Sequence, residues 1–192
     1  MESQGQKFQF GQNGRAYVLL FFLVLLIYSN TFQASWHLDD YHNILNNPRL
    51  KIENLQPQSI IQTFYASFDR GLYSKSKIYR PVACLTFALN WYFGQNNPFG
   101  YHLVNIAVHL ITACLLFLTI LMLLESPKLR GKHRGSEYFI ALLAAVLWAI
   151  NPIQTQAVTY IVQRMASMAA MFYISGIYFY LKARLDDSRS KR

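Results

Sequence analysis

"PFGYHLVNIAVHLITACLLFLTILMLL" occupies residues 98–124 and contains no Asp, Glu, Lys or Arg. A helix needs about 20 apolar residues to cross a hydrocarbon core roughly 30 Å thick, so this stretch reads as a membrane span. No charged residue falls between Arg15 and Asp39, between Glu137 and Arg164, or between Arg164 and Lys182 either. Those gaps hold three further apolar runs: Ala16 to Phe32, "YFIALLAAVLWAI" (138–150) and "MASMAAMFYISGIYFYL" (165–181). Only 14% of the chain is charged, against about 25% in soluble domains. The reading is an all-α membrane protein with about four transmembrane helices.

Two shorter helices are expected beside them. "RPVACLTFALNWYFG" (80–94) is apolar for little more than a dozen residues before the break "GQNNPFG". It is either a thin span or a helix lying along the surface, and topology decides. The basic stretches "KLRGKHR" (128–134) and "KARLDDSRSKR" (182–192) flank hydrophobic runs, as cytoplasmic segments do under the positive-inside rule. Both stay cytoplasmic, together with the N-terminus, only if 81–93 does not cross. The second juxtamembrane helix is expected to start at Asn151-Pro152, with the Asn side chain as cap and Pro at the first helical position. Ile153, Ala157, Ile161 and Val162 should share one side of it, with Gln156, Thr159, Tyr160 and Gln163 on the other. Arg164 should end it.

The organisation expected is a cytoplasmic N-terminus (1–15), a membrane module (16–184) and a basic cytoplasmic tail (185–192). The module has an extracytoplasmic loop at 33–97 and a cytoplasmic loop at 125–137. The loop should carry short helices such as "LQPQSIIQTFYASF" (55–68). The first apolar run is nearer a retained signal anchor than a cleaved peptide, for which Ala34 is a poor cleavage position. The net charge of +9 is not laid out as a groove-reading stripe, so no nucleic-acid partner is expected. Cys84 and Cys114 lie in apolar helical runs and support neither a disulfide framework nor a CxxC site.

Several polar groups need a reason to be where they are. "SWHLDDYHNILNNP" (35–48) places Asp39 and Asp40 just beyond the first span. Adjacent residues on an extended backbone point opposite ways, so one carboxylate is free to face an acceptor hydroxyl while the other holds the loop or a cation. "HLDDYH" also supplies metal-ligand types in His37, Asp39, Asp40 and His42, at nonspecific spacing, with a divalent cation as the group implied. His102, Asn105 and His109 fall on one face of the 98–124 helix. Each is either glue to a neighbouring helix or the lining of a cavity. Arg80 and Arg164, expected at the outer interface, either snorkel toward lipid headgroups or clamp a lipid-linked phosphate.

Three ordered blocks carry a resemblance over residues 16–184: "DDYHNILNNP", the run from "YRPVACLTFALNWYFG" to "ITACLLF", and "NPIQTQAVTYIVQRMASMAAMFYISGIYFYLKAR". Together they resemble the N-terminal region of membrane-embedded O-mannosyltransferase-like proteins that carry tetratricopeptide repeats, within the GT-C glycosyltransferase superfamily. The third block looks especially like bacterial members. The resemblance implies glycosyl transfer at the extracytoplasmic face, from a polyprenyl-phosphate sugar to a protein or other hydroxyl acceptor. It implies Asp39 as base with Asp40 as its partner, Arg80 and Arg164 on the donor phosphate, and His102, Asn105, His109 and Gln156 lining the cavity. Where the family pattern has His-Pro and Thr-Glu-Ala, this chain has Asn151 and Gln156, which leaves that segment hydrogen bonding but no acid–base role.

Family members have many more spans and a C-terminal repeat array. The chain is therefore expected to act as a fragment or subunit with further transmembrane and tetratricopeptide-repeat segments from another chain. Its expected place is a bacterial inner membrane, or the endoplasmic reticulum in a eukaryote. The alternative is a non-catalytic integral membrane module that assembles with other spans. A small transporter predicts an inverted repeat between the halves, and none is visible.

Overall fold

The computed structural model describes residues 3–66, 79–129 and 131–190, with side chains described from 13 to 66, 79 to 129 and 131 to 186. The polar stretch "SFDRGLYSKSK" and the last residues of the basic tail lie outside those side chains. Seven α-helices are described: α1 (Ser3–Ile27), α2 (Pro57–Phe64), α3 (Pro81–Gly94), α4 (Pro98–Leu124), α5 (Glu137–Ala149), α6 (Gln154–Thr159) and α7 (Arg164–Ser190). Short 3-10 turns cover Ser29–Gln33, Pro48–Leu50 and Ile161–Gln163, and a π turn covers Tyr41–Leu45. No strand occurs among the described residues.

The central helix is α4. Its start is set by Asn97, whose side chain accepts from Phe99 N at 3.0 Å, and by Pro98 at the first helical position, where a missing N–H costs nothing. At 1.5 Å per residue it is about 40 Å long, and among the described residues it is the one helix long and apolar enough to cross a membrane. The apolar parts of α1 (Asn13–Ile27) and α5 are shorter, about 20 Å each.

Ring contacts fix how these helices run. Tyr17 and Tyr138 both meet Phe117, while Tyr28 and Trp148 both meet His109. Helices α1 and α5 therefore lie antiparallel to α4, and both end near the level of His109, about 16 Å along α4 from its start. Small side chains permit the close approach: Ala141, Ala145 and Ala149, one turn apart on α5, are wholly buried, as are Ala16, Leu20 and Val24 on α1. These residues form one core with Ala113 and Phe117.

Beside the first half of α4, a second core takes over. Ile44, Leu50, Phe87, Tyr101, Ile161 and Met165 belong to it, drawn from the 33–66 segment, α3, α4, the 161–163 turn and the start of α7. Trp36 from this segment donates its indole N–H to Asn96 O at 3.1 Å and meets Tyr101 edge-on. The acidic stretch is thus packed against the N-terminal end of α4.

Three boundaries differ from the sequence expectation. The first apolar helix begins upstream of Ala16 and stops at Ile27, where Ser29 Oγ donates to Leu26 O at 3.0 Å and the chain tightens into a 3-10 turn. At Asn151-Pro152 the side-chain oxygen accepts from Ile153 N at 3.0 Å, but the helix proper waits until Gln154. It then breaks at Tyr160, whose φ of −81° and ψ of 109° are extended. That break resets the helical phase: Ile153 is 76% exposed whereas Val158, Ile161 and Val162 are buried. Arg164 consequently opens α7 rather than closing the preceding helix.

Candidate functional site

Asp39 and Asp40 have separate surroundings. The backbone is not extended here. Leu38 takes a positive φ of 31° and Asp40 is already α-helical, entering the π turn. This turns Asp40 inward, wholly buried, where its two carboxylate oxygens accept from His37 N at 3.0 Å and Val162 N at 2.7 Å. Burial pushes the Asp40 carboxyl above the usual range, against the opposing effect of those two amides. Asp39 stays exposed. Its backbone N–H donates to the Tyr160 hydroxyl at 2.9 Å, and its carbonyl accepts from Asn43 Nδ2 at 2.7 Å. One acid is structural and the other is presented.

Arg164 lies at the bottom of this arrangement and is wholly buried. Its Nε donates to Asn105 Oδ1 at 2.7 Å, one Nη to Asn90 Oδ1 at 2.7 Å and Thr86 Oγ1 at 3.1 Å, and the other to Tyr101 O at 2.7 Å. Its guanidinium also sits 4.4 Å from the Phe87 ring centre. A planar fork with fixed donor directions suits such a cage of neutral acceptors and an aromatic face. Asn90, Thr86 and Tyr101 were not singled out by sequence. The signal for the first was a lone amide in the apolar run of α3. Arg80, half-buried at the start of α3, reaches Met165 Sδ with Nη1 at 3.3 Å.

The polar face of α4 is spent on carbonyls left open where neighbouring helices end, which in an apolar setting must find a donor. His102 Nε2 meets Ala34 O at 3.0 Å, which assigns the proton to that nitrogen, and His102 Nδ1 is buried without a hydrogen-bond partner among the described residues. Asn105 Nδ2 reaches Val158 O at 3.1 Å and Tyr160 O and Ile161 O at 3.4 Å each, spanning the break after α6. His109 Nε2 meets Ala149 O at 2.9 Å, a carbonyl that also accepts from the Tyr28 hydroxyl at 3.0 Å.

A cleft of about 280 Å³ lies between α4, α5, α6 and α7. His109 and Gln156 line it, with Thr112, Trp148, Gln154, Gln163 and Ser167. Among the described residues its lining holds amides, hydroxyls, an imidazole and an aromatic ring, and no carboxylate, ammonium or guanidinium. His102 and Asn105 are buried against backbone instead. The side chains of the metal alternative are not gathered: His37, Asp39 and His42 are exposed while Asp40 turns inward, and no three His, Cys, Asp or Glu side chains cluster for a metal among the described residues.

The chain is 27% identical over 180 residues to Protein O-mannosyl-transferase TMTC3 of Mus musculus, a match covering 92% of this chain and 18% of the relative. It is 30% identical over 176 residues to Protein O-mannosyl-transferase F38B6.6 of Caenorhabditis elegans, covering 90% and 24%. It is 32% identical over 149 residues to Protein O-mannosyl-transferase TMTC1 of Homo sapiens, covering 78% and 16%. The chain thus spans between 16% and 24% of the length of these relatives. No family model and no solved structure matches. By its sequence, over most of its length, this chain is related to the TMTC-type protein O-mannosyl-transferases.

Proposed function

We propose that the chain carries the acceptor-activating end of a membrane glycosyl transfer, moving a sugar from a polyprenyl phosphate to a hydroxyl of a protein on the extracytoplasmic side. It does so as part of a larger assembly. In this reading α1, α4, α5 and α7 cross the bilayer with both ends cytoplasmic, and the acidic loop and α3 lie on the outer face. The observation that carries the proposal is the division of labour between the two acids. Asp40 is buried and held by two backbone amides, while Asp39 beside it is exposed on a backbone fixed at both its N–H and its carbonyl.

The Asp39 carboxylate accepts the proton of the acceptor hydroxyl as its oxygen bonds to the anomeric carbon. The bond from that carbon to the phosphate oxygen breaks, and polyprenyl phosphate leaves with the electron pair. General-base help of this kind contributes about 10²–10⁴-fold. Arg80 meets the charge on the departing phosphate, and preorganised charge there is often the larger effect. Arg164, caged by protein acceptors, holds the scaffold. The uncharged cleft under α6 takes the sugar end of the donor, whose hydroxyls suit amides that both give and accept hydrogen bonds.

The test is transfer of label from a radiolabelled polyprenyl-phosphate sugar to peptide, with the chain alone and with the assembly in its native membranes. Loss of transfer in Asp39→Asn, with membrane insertion intact, supports the reading. A second reading, a non-catalytic module that scaffolds other spans, is favoured by the commitment of His102, Asn105 and Arg164 to internal hydrogen bonds. It predicts that Asp39→Asn transfers as well as wild type.

A further inference from the structure

We infer that Tyr160 is a positioning residue for Asp39, its hydroxyl fixing the backbone that presents the exposed carboxylate. This rests on the reading of Asp39 as the base. The two residues are 121 positions apart, yet Asp39 N–H donates to the Tyr160 hydroxyl oxygen at 2.9 Å. The phenol oxygen is the acceptor of that bond, so the hydroxyl ties down the backbone from which the exposed carboxylate projects. Holding that N–H limits the directions in which the carboxylate can point.

Tyr160 is itself held firmly. It sits at the extended break between α6 and the 161–163 turn. Its N–H donates to Gln156 O at 3.2 Å, and its carbonyl accepts from Asn105 Nδ2 at 3.4 Å. Two residues on, Val162 N–H holds Asp40. The short 160–162 segment therefore grips both acids from across the chain, one through a side chain and one through an amide. On the other side of the pair, Leu38 takes a left-handed φ of 31° while its side chain is 85% exposed. A non-glycine residue keeps such a conformation only where surrounding contacts over-determine it. The Tyr160 contact on the very next residue is one of them.

The charged and titratable groups around this contact are Asp39 and Asp40 facing the phenol, with His37 and Arg164 acting on Asp40. Burial pushes the Tyr160 phenol up, opposed by the Asp39 N–H and aided by the two neighbouring acids.

The experiment uses Tyr160→Phe in membranes that carry transfer activity, with 3-fluorotyrosine at position 160 as a second variant that keeps the ring and the hydroxyl. The expected result for Tyr160→Phe is a kcat about tenfold lower with unchanged KM for donor and acceptor, the pattern of an interaction realised at the transition state. With 3-fluorotyrosine, which keeps the oxygen that accepts from the Asp39 N–H, kcat stays within about twofold of wild type. In parallel, the Asp39 amide resonance of the chain in nanodiscs shifts in Tyr160→Phe. An unmoved amide resonance overturns the contact, and a wild-type kcat in Tyr160→Phe overturns the role. Full transfer by Asp39→Asn overturns instead the reading of Asp39 as base, and leaves the amide result to stand separately.

Discussion

Arg164 Nε donates to Asn105 Oδ1 at 2.7 Å, and the amide nitrogen of the same Asn105 reaches the carbonyls at the helix break that delivers Arg164. One side chain of α4 thus neutralises a buried donor and the open backbone beside it. Asn105→Ala strips both at once. A buried polar group left unpaired costs about 1–3 kcal/mol, so thermal unfolding in detergent is expected to show a loss of about 3 kcal/mol. A variant as stable as wild type contradicts the account of this knot.

The two arginines are predicted to behave differently. Arg80→Lys raises the KM for the lipid-linked donor by about tenfold, the size of one charge-assisted hydrogen bond lost. Arg164→Lys cannot reproduce the fork to Asn105, Asn90 and Tyr101 O and loses stability instead, with the donor KM of the folded fraction unchanged. Steady-state kinetics on the two variants, beside their melting curves, distinguish these outcomes. A raised donor KM in a stable Arg164→Lys returns that residue to the phosphate.

Asp40 makes stability depend on pH. Burial raises its carboxyl in the folded chain, so folding favours the protonated form. Its contribution is full below the ordinary carboxylate range and is lost as pH rises through the raised folded value. Asp40→Asn removes that dependence. It also sets an amide donor against one of the two N–H groups of His37 and Val162, at a cost of about 1–3 kcal/mol. Unfolding measured across the acidic range is expected to give a sloping difference between wild type and variant, and a flat difference contradicts the assignment.

Gln156 is exposed on the rim of the uncharged cleft. Gln156→Ala is expected to leave melting unchanged and to raise the donor KM about two- to tenfold, the worth of one neutral hydrogen bond. Competition with a series of donors differing only in the sugar checks the assignment, because the effect should follow the sugar and not the lipid.

The long apolar segments were legible because burial along a helix leaves an uninterrupted pattern. The 98–124 helix and the short helix after Arg80 fall where composition puts them. What periodicity could not show is the break at Tyr160, since "TQAVTYIVQR" holds no Gly or Pro to announce it. That break depends on a donor from Asn105, far along the chain. The same blindness affects the site. The spacing of His102, Asn105 and His109 shows a polar face, but which carbonyls complete it depends on where α1, α5 and α6 end. The separate fates of Asp39 and Asp40 likewise follow from a turn at Leu38 that no local propensity favours.

The most direct measurement is transfer and stability determined side by side for Asp39→Asn and wild type in the same membranes. The account predicts transfer reduced by about 10²–10⁴-fold with an unchanged melting temperature, because the exposed carboxylate acts on substrate while the backbone of Asp39 carries its structural bonds. Transfer at the wild-type rate in a fully folded Asp39→Asn chain contradicts it.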